Sequence, residues 1–191
     1  MRRWPYRVMT LLAFLILAST TCPAAEVDGI QFPDSVHVEG KTLVLNGIGQ
    51  RVYSFLRVPI YVAGLYLQHP STDANAVLGS SQVKLLTIKF QRAVSAENAR
   101  TAWRTGFDNN CVAPCHLDPD EIARFLAAIP AIRAGDVYTF LFTPDGARVY
   151  ANNHLLGVIP RPNFAQAILA TFLGPRPASL PLKEALLRGH A

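Results

Sequence analysis

Apolar residues in this chain follow two rhythms. From Leu43 to Leu67 (LVLNGIGQRVYSFLRVPIYVAGLYL), Val, Ile, Tyr, Phe and Leu dominate after Arg51, a composition that favours strand over helix. One parity carries Val52, Val58, Ile60 and Val62; the other carries Tyr53, Phe55, Tyr61 and Leu65. Both faces are apolar, which predicts a central strand covered on both sides. Asn46-Gly47 between two such runs predicts a hairpin turn. Arg51 follows it, where a permanently charged guanidinium enters an apolar hairpin. Glu26 to Gly40 reads as short strands parted at Pro33-Asp34 and Glu39-Gly40. Val83 to Phe90 is a strand with Lys84 and Lys89 near its ends. Val137 to Phe142, Ala147 to Ala151 and His154 to Ile159 form an antiparallel meander, turned at Pro144-Asp145-Gly146 and Asn152-Asn153.

The second rhythm is helical. Ala99, Trp103 and Phe107 recur every fourth residue as the core face of a helix that Ser95 caps, with Glu97 in its first turn and an end near Asn109. Asp118-Pro119-Asp120-Glu121 opens another: an aspartate cap, proline at the first helical position and a glutamate three after the cap. Its stripe is Ile122, Phe125, Leu126 and Ile129, ended by Pro130. Asp73 to Leu78 predicts a single turn. Asn163 is the expected cap of a longer helix, Phe164 to Leu173, closed by Gly174-Pro175, and Lys183 to Arg188 adds a short last one. Strands at both ends, with helices between and after them, argue an α+β fold with helices on one side of an antiparallel sheet.

The N-terminus changes the reading of charge. Arg2, Arg3 and Arg7 precede an apolar run from Val8 to Ala18, and small residues follow to Ala25. This is the layout of a secretory leader, residues 1–25, with cleavage near Ala24 or Ala25 and export to the periplasm or the outside. A retained anchor is the alternative, although the run falls short of the ~20 residues that a membrane span needs. Losing three arginines and no acid lowers the formal charge from +5 to +2. The remaining arginines are dispersed, so no nucleic-acid partner is inferred. No later segment is apolar and long enough to span a bilayer, and residues 26–191 make one domain.

The only thiols after the leader are Cys111 and Cys115, an even count that in an exported protein predicts a small-loop disulfide. C-x-x-x-C-H also resembles a lengthened haem-attachment motif, and Cys111, Cys115 and His116 lack a clear fourth metal ligand. Neither cofactor nor metal is expected. The chain has no nucleophile elbow and no phosphate-binding glycine loop. Asp118, Asp120 and Glu121 read as helix capping.

In this set of residues the chain resembles the chalcone isomerase-like superfamily, and more closely its bacterial exported branch. Leu45-Asn46-Gly47-Ile48-Gly49-Gln50-Arg51 and Val62-Ala63-Gly64-Leu65-Tyr66-Leu67 carry the resemblance. Gly135-Asp136, Phe164-Ala165, Phe172-Leu173-Gly174 and Leu182 to Leu187 extend it. It implies an open-faced β-sandwich: a curved antiparallel sheet backed by a layer of helices, with a cleft between. The family's true isomerases close a flavanone ring by adding a phenolate to an enone, an arginine stabilising the developing charge. That arginine corresponds to Arg51. A threonine falls at Tyr61, a tyrosine and a lysine at Val94 and Glu97, and an asparagine near Thr101. The arginine is present and its helpers are not. Each lost donor can remove about 3–4 kcal/mol of transition-state stabilisation.

The resemblance therefore implies a non-catalytic protein that binds a small apolar carboxylic acid, fatty-acid-like, in the cleft. Arg51, Tyr61 and Thr101 are its candidate ligand-binding residues. Two readings of Arg51 stand at this point: a fork for a carboxylate, or a structural arginine that pairs an acid such as Glu97 or caps carbonyls. Two other functions also stand. One is an isomerase acting on an unidentified enone through Arg51. The other is an envelope scaffold that holds no ligand and serves a protein partner.

Overall fold

Each strand of the main sheet pairs with its neighbour in sequence. The computed structural model describes residues 24–53, 57–111 and 115–189; the predicted leader lies outside them except for its last two residues. Strands β1 (Ala24–Val27) and β2 (Ile30–Pro33) form a separate hairpin. Its turn, Asp28-Gly29, has φ of 53° and 74°, the two-residue geometry that matches right-handed strand twist. Seven strands follow: β3 (Ser35–Val38), β4 (Lys41–Tyr53), β5 (Val58–Leu67), β6 (Lys84–Phe90), β7 (Val137–Thr143), β8 (Gly146–Ala151) and β9 (His154–Ile159). They make one curled antiparallel sheet in that order. The helices are α1 (Ala74–Gly79), α2 (Ala96–Asn110), α3 (Pro119–Ala127), α4 (Pro162–Leu173) and α5 (Leu180–Leu186).

The period of two along the strands divides the molecule into two cores. Leu65, Leu86, Phe140 and Val149 pair across β5, β6, β7 and β8 and all face the helices. Leu45, Tyr66, Leu85 and Leu141 pair one step along and face the other way. There the β1–β2 hairpin covers them, with Phe32 buried in the middle. Gly64 makes that fit possible: a Cβ built there would lie 2.6 Å from the Phe32 ring. The expectation of a strand covered on both sides holds for β5.

The expectation of a hairpin at Asn46-Gly47 does not hold. β4 runs through it, with a register shift between Leu45 and Gly47. The cause lies far along the chain. α5 docks there so closely that a Cβ at Gly47 would stand 2.2 Å from the Ala185 carbonyl oxygen. The fully buried Asn46 side chain bonds the Leu186 carbonyl at 2.8 Å. Asn-Gly here makes a bulge that admits a helix, and the chain reverses instead between Tyr53 and Val58.

Other local signals read as expected. Ser95 and Asp118 cap α2 and α3 through their side chains, and Pro119 stands at the start of α3. Asn152 and Asn153 have φ of 48° and 65° in the β8–β9 turn. Asn163 is not a cap: α4 begins at Pro162, with Arg161 as an N-cap that makes no side-chain bond. Proline needs no N–H acceptor at a first helical position, so the start moves upstream.

Candidate functional site

A cavity of about 450 Å³, open to solvent at one side, is left against the larger core. The cavity lies between the helix-facing side of the later strands and the helices α2, α3 and α4. Its floor is built from Ile88, Phe140, Val149 and Ile159, one from each of four successive strands. Trp103 of α2, Phe125 of α3 and Phe164 of α4 form the walls. Trp103 meets Phe125 edge to face, centroids 5.2 Å apart at 86°, and Phe125 meets Phe164 at 5.7 Å and 83°. Rings braced in this way, each with only two side-chain torsions, hold a space open that flexible aliphatic chains would fill.

α3 is secured at both ends. Arg100 of α2 donates from Nε to the Leu126 carbonyl at 3.0 Å and from Nη2 to that of Ile129 at 3.1 Å. The Leu126 carbonyl also accepts from the Ile129 N–H at 3.2 Å, so the guanidinium reinforces a helix end whose last carbonyls are short of intrahelical partners. At the other end Glu121 bonds Arg161 Nε at 2.7 Å, with the Glu121 side chain only 13% exposed. Glu121 thus corrects the capping expectation: its carboxylate ties α3 to the residue before α4. Cys111, at the end of α2, and Cys115, before α3, form the expected disulfide.

Chemically the cavity is quiet. Its charged lining groups are Glu121, Arg124 and Arg161. Tyr138, also on the wall, has its phenol pushed up by burial first and then by the Asp136 carboxylate, so it stays neutral. Among the described residues no group of three or more His, Cys, Asp or Glu side chains could hold a metal ion.

Arg51, Tyr61 and Thr101 do not line this cavity. Arg51 and Tyr61 are brought together as cross-strand partners on β4 and β5, on the face toward the helices. Tyr61 stacks edge-on with Phe90 at 5.3 Å, and Phe90 with Tyr138 at 5.6 Å. This row of rings leads from Arg51 to the cavity wall two strand spacings away, about 10 Å. The Arg51 guanidinium donates through Nη1 to the Ala178 carbonyl in the segment before α5. Burial pushes the Tyr61 phenol up to about 12, with Arg51 pulling the other way. A phenol of that acidity supplies no phenolate near neutral pH. Thr101 is exposed on α2, two residues and therefore about 200° around the helix from Trp103. Val94 pairs with Ile132 in an isolated bridge, and Glu97 is exposed. Neither reaches the cavity.

Sequence reasoning missed Arg124, Arg161 and the placement of Trp103. Trp103 sits at ordinary core spacing, and no residue pattern distinguishes the wall of a hole from a filled core. Glu121 and Arg161, 40 positions apart in the sequence, meet only in the fold.

The sequence model of the chalcone isomerase-like family matches residues 24–188. No curated protein matches the chain at a significant level. Among solved structures, the chain is similar to a fatty-acid binding protein of Arabidopsis thaliana, with a TM-score of 0.72 and 15% identity. The likeness covers 86% of this chain and 96% of that one, and at this identity it is a likeness of fold. The chain belongs to the chalcone isomerase-like family.

Proposed function

We propose that the protein is an exported, non-catalytic binder of a small, largely apolar carboxylic acid, which it holds in the cavity between sheet and helices. The cavity carries this reading: about 450 Å³, walled by aromatic and aliphatic side chains, with its one carboxylate bonded to an arginine. At roughly 30 Å³ per water-sized group, that volume accommodates about fifteen non-hydrogen atoms. The structural neighbour's being a fatty-acid binding protein supports the ligand class. Exposed Glu97 and Thr101, and Val94 away from the cavity, support binding over turnover. The basic, apolar leader and the start of the family match at residue 24 support export.

Each methylene moved from water to the cavity contributes about 0.8 kcal/mol, close to fourfold in affinity. The test is a titration of the leader-free protein, from about Ala25 onward, in which Trp103 is the sole tryptophan, with saturated acids of about eight to eighteen carbons. Trp103 emission is expected to saturate, and affinity to climb with length until about fifteen heavy atoms fill the space. Saturable binding by none of the acids would overturn the reading. Turnover of a chalcone, lost in Arg51→Ala, would replace it with the isomerase.

A further inference from the structure

We infer that Arg124 holds the acidic head of the ligand at the mouth of the cavity, an inference that rests on the binding reading above. Three charged side chains stand on the lining: Glu121, Arg124 and Arg161. Glu121 and Arg161 neutralise one another at 2.7 Å. Two cations and one anion leave a net single positive charge, and the cation without a salt-bridge partner among the described residues is Arg124. Arg124 lies one turn after Glu121 on α3, on the same side as Phe125 and Ala128, which also line the cavity. The side chain is exposed and needs no burial of its charge to stand there.

Across from it the lining is β9, the last strand of the sheet. Gly157 pairs with Val149 in the helix-facing row, and a Cβ built on it would meet nothing within 4 Å; Leu156 beside it is 39% exposed. The slot between α3 and β9 is therefore an apolar lip on one side and a guanidinium on the other, opening on a space walled by rings. That arrangement suits an amphiphile whose tail enters first and whose single negative charge stays at the rim. A planar fork with two parallel N–H donors matches a carboxylate better than a bulky or neutral head. Arg51 is less suited. It lies two strands from the wall, and its guanidinium already donates to the Ala178 carbonyl.

The experiment compares one saturated acid with its methyl ester in the leader-free protein and in its Arg124→Gln, Arg124→Lys and Arg51→Gln derivatives, following Trp103. The parent is expected to prefer the acid about two- to fivefold, as an exposed charge-assisted pair allows. Arg124→Gln is expected to abolish that preference and leave ester binding unchanged. Arg124→Lys should keep part of it, and Arg51→Gln should keep all of it. Raising the salt concentration should shrink the preference. Equal binding of acid and ester by the parent would overturn the inference and leave the apolar cavity reading standing. Loss of the preference in Arg51→Gln but not in Arg124→Gln would place the head at Arg51. Binding of neither compound would overturn the binding reading itself.

Discussion

Replacing Asn46 tests how the functional face is assembled. The side chain is fully buried and joins three distant parts of the chain. Nδ2 donates to the Ser71 carbonyl at 3.0 Å and the Leu186 carbonyl at 2.8 Å, while Oδ1 accepts from the Ser71 N–H at 2.8 Å. Asn46→Ala strips partners from three main-chain groups. A buried polar group left without a partner costs about 1–3 kcal/mol. Ser71 is half-buried, so water relieves part of its loss, and the Leu186 carbonyl bears the full penalty. The expected destabilisation is about 3–5 kcal/mol, a large part of the roughly 5–15 kcal/mol that a domain has.

Asn46→Asp keeps the shape and adds a sign. The introduced carboxylate would face two carbonyl oxygens, so burial and repulsion raise its folded pKa above the unfolded value of about 3.9. The folded state then holds a proton that the unfolded state has released. The destabilisation is smallest below about pH 4 and grows as pH rises toward the folded pKa. Urea unfolding followed by far-UV circular dichroism, at about pH 4 and about pH 8, measures both variants. An Asn46→Ala cost under about 1 kcal/mol, or an Asn46→Asp cost that falls as pH rises, would refute the reasoning.

Two further outcomes are expected. If the protein is exported as proposed, its native form should begin near Ala25 or Glu26 by N-terminal mass spectrometry and carry the Cys111–Cys115 bond. Reducing that bond, which joins residues four apart, should cost about 2 kcal/mol and lower Tm by about 4–8 °C; an unchanged melting curve would refute it. On the opposite face of the sheet, Gly64→Ala should destabilise by about 1–3 kcal/mol, because its methyl meets the Phe32 ring. Adding Phe32→Leu should relieve part of that cost in a double-mutant cycle, and strict additivity would contradict the contact.

The meander from β7 to β9, the caps at Ser95 and Asp118 and the paired asparagines were legible because each depends on neighbours a few residues away. The two-faced character of β5 was legible from its parity. Asn46-Gly47 was misread because the same dipeptide serves a turn and a bulge, and only α5, some 140 positions later, decides between them. The cavity between sheet and helices was implied by the family resemblance and left no mark in residue spacing. Trp103, Phe125 and Phe164 stand at helical spacings that fill cores in other proteins, and here their mutual angles keep a space open. The resemblance directed attention to Arg51, while the charged groups on the lining, Glu121, Arg124 and Arg161, carry no local signature.

The fastening of α3 has a mechanical consequence. A beam pinned by a guanidinium at one end and an ion pair at the other resists sliding along the sheet, while its middle is held by apolar packing alone, from Ile122, Phe125 and Leu126. Such a beam bows outward more readily than it shifts. If the proposed binding holds, guests of unequal girth strain the molecule less than guests of unequal length, and tail length becomes the property the cavity discriminates.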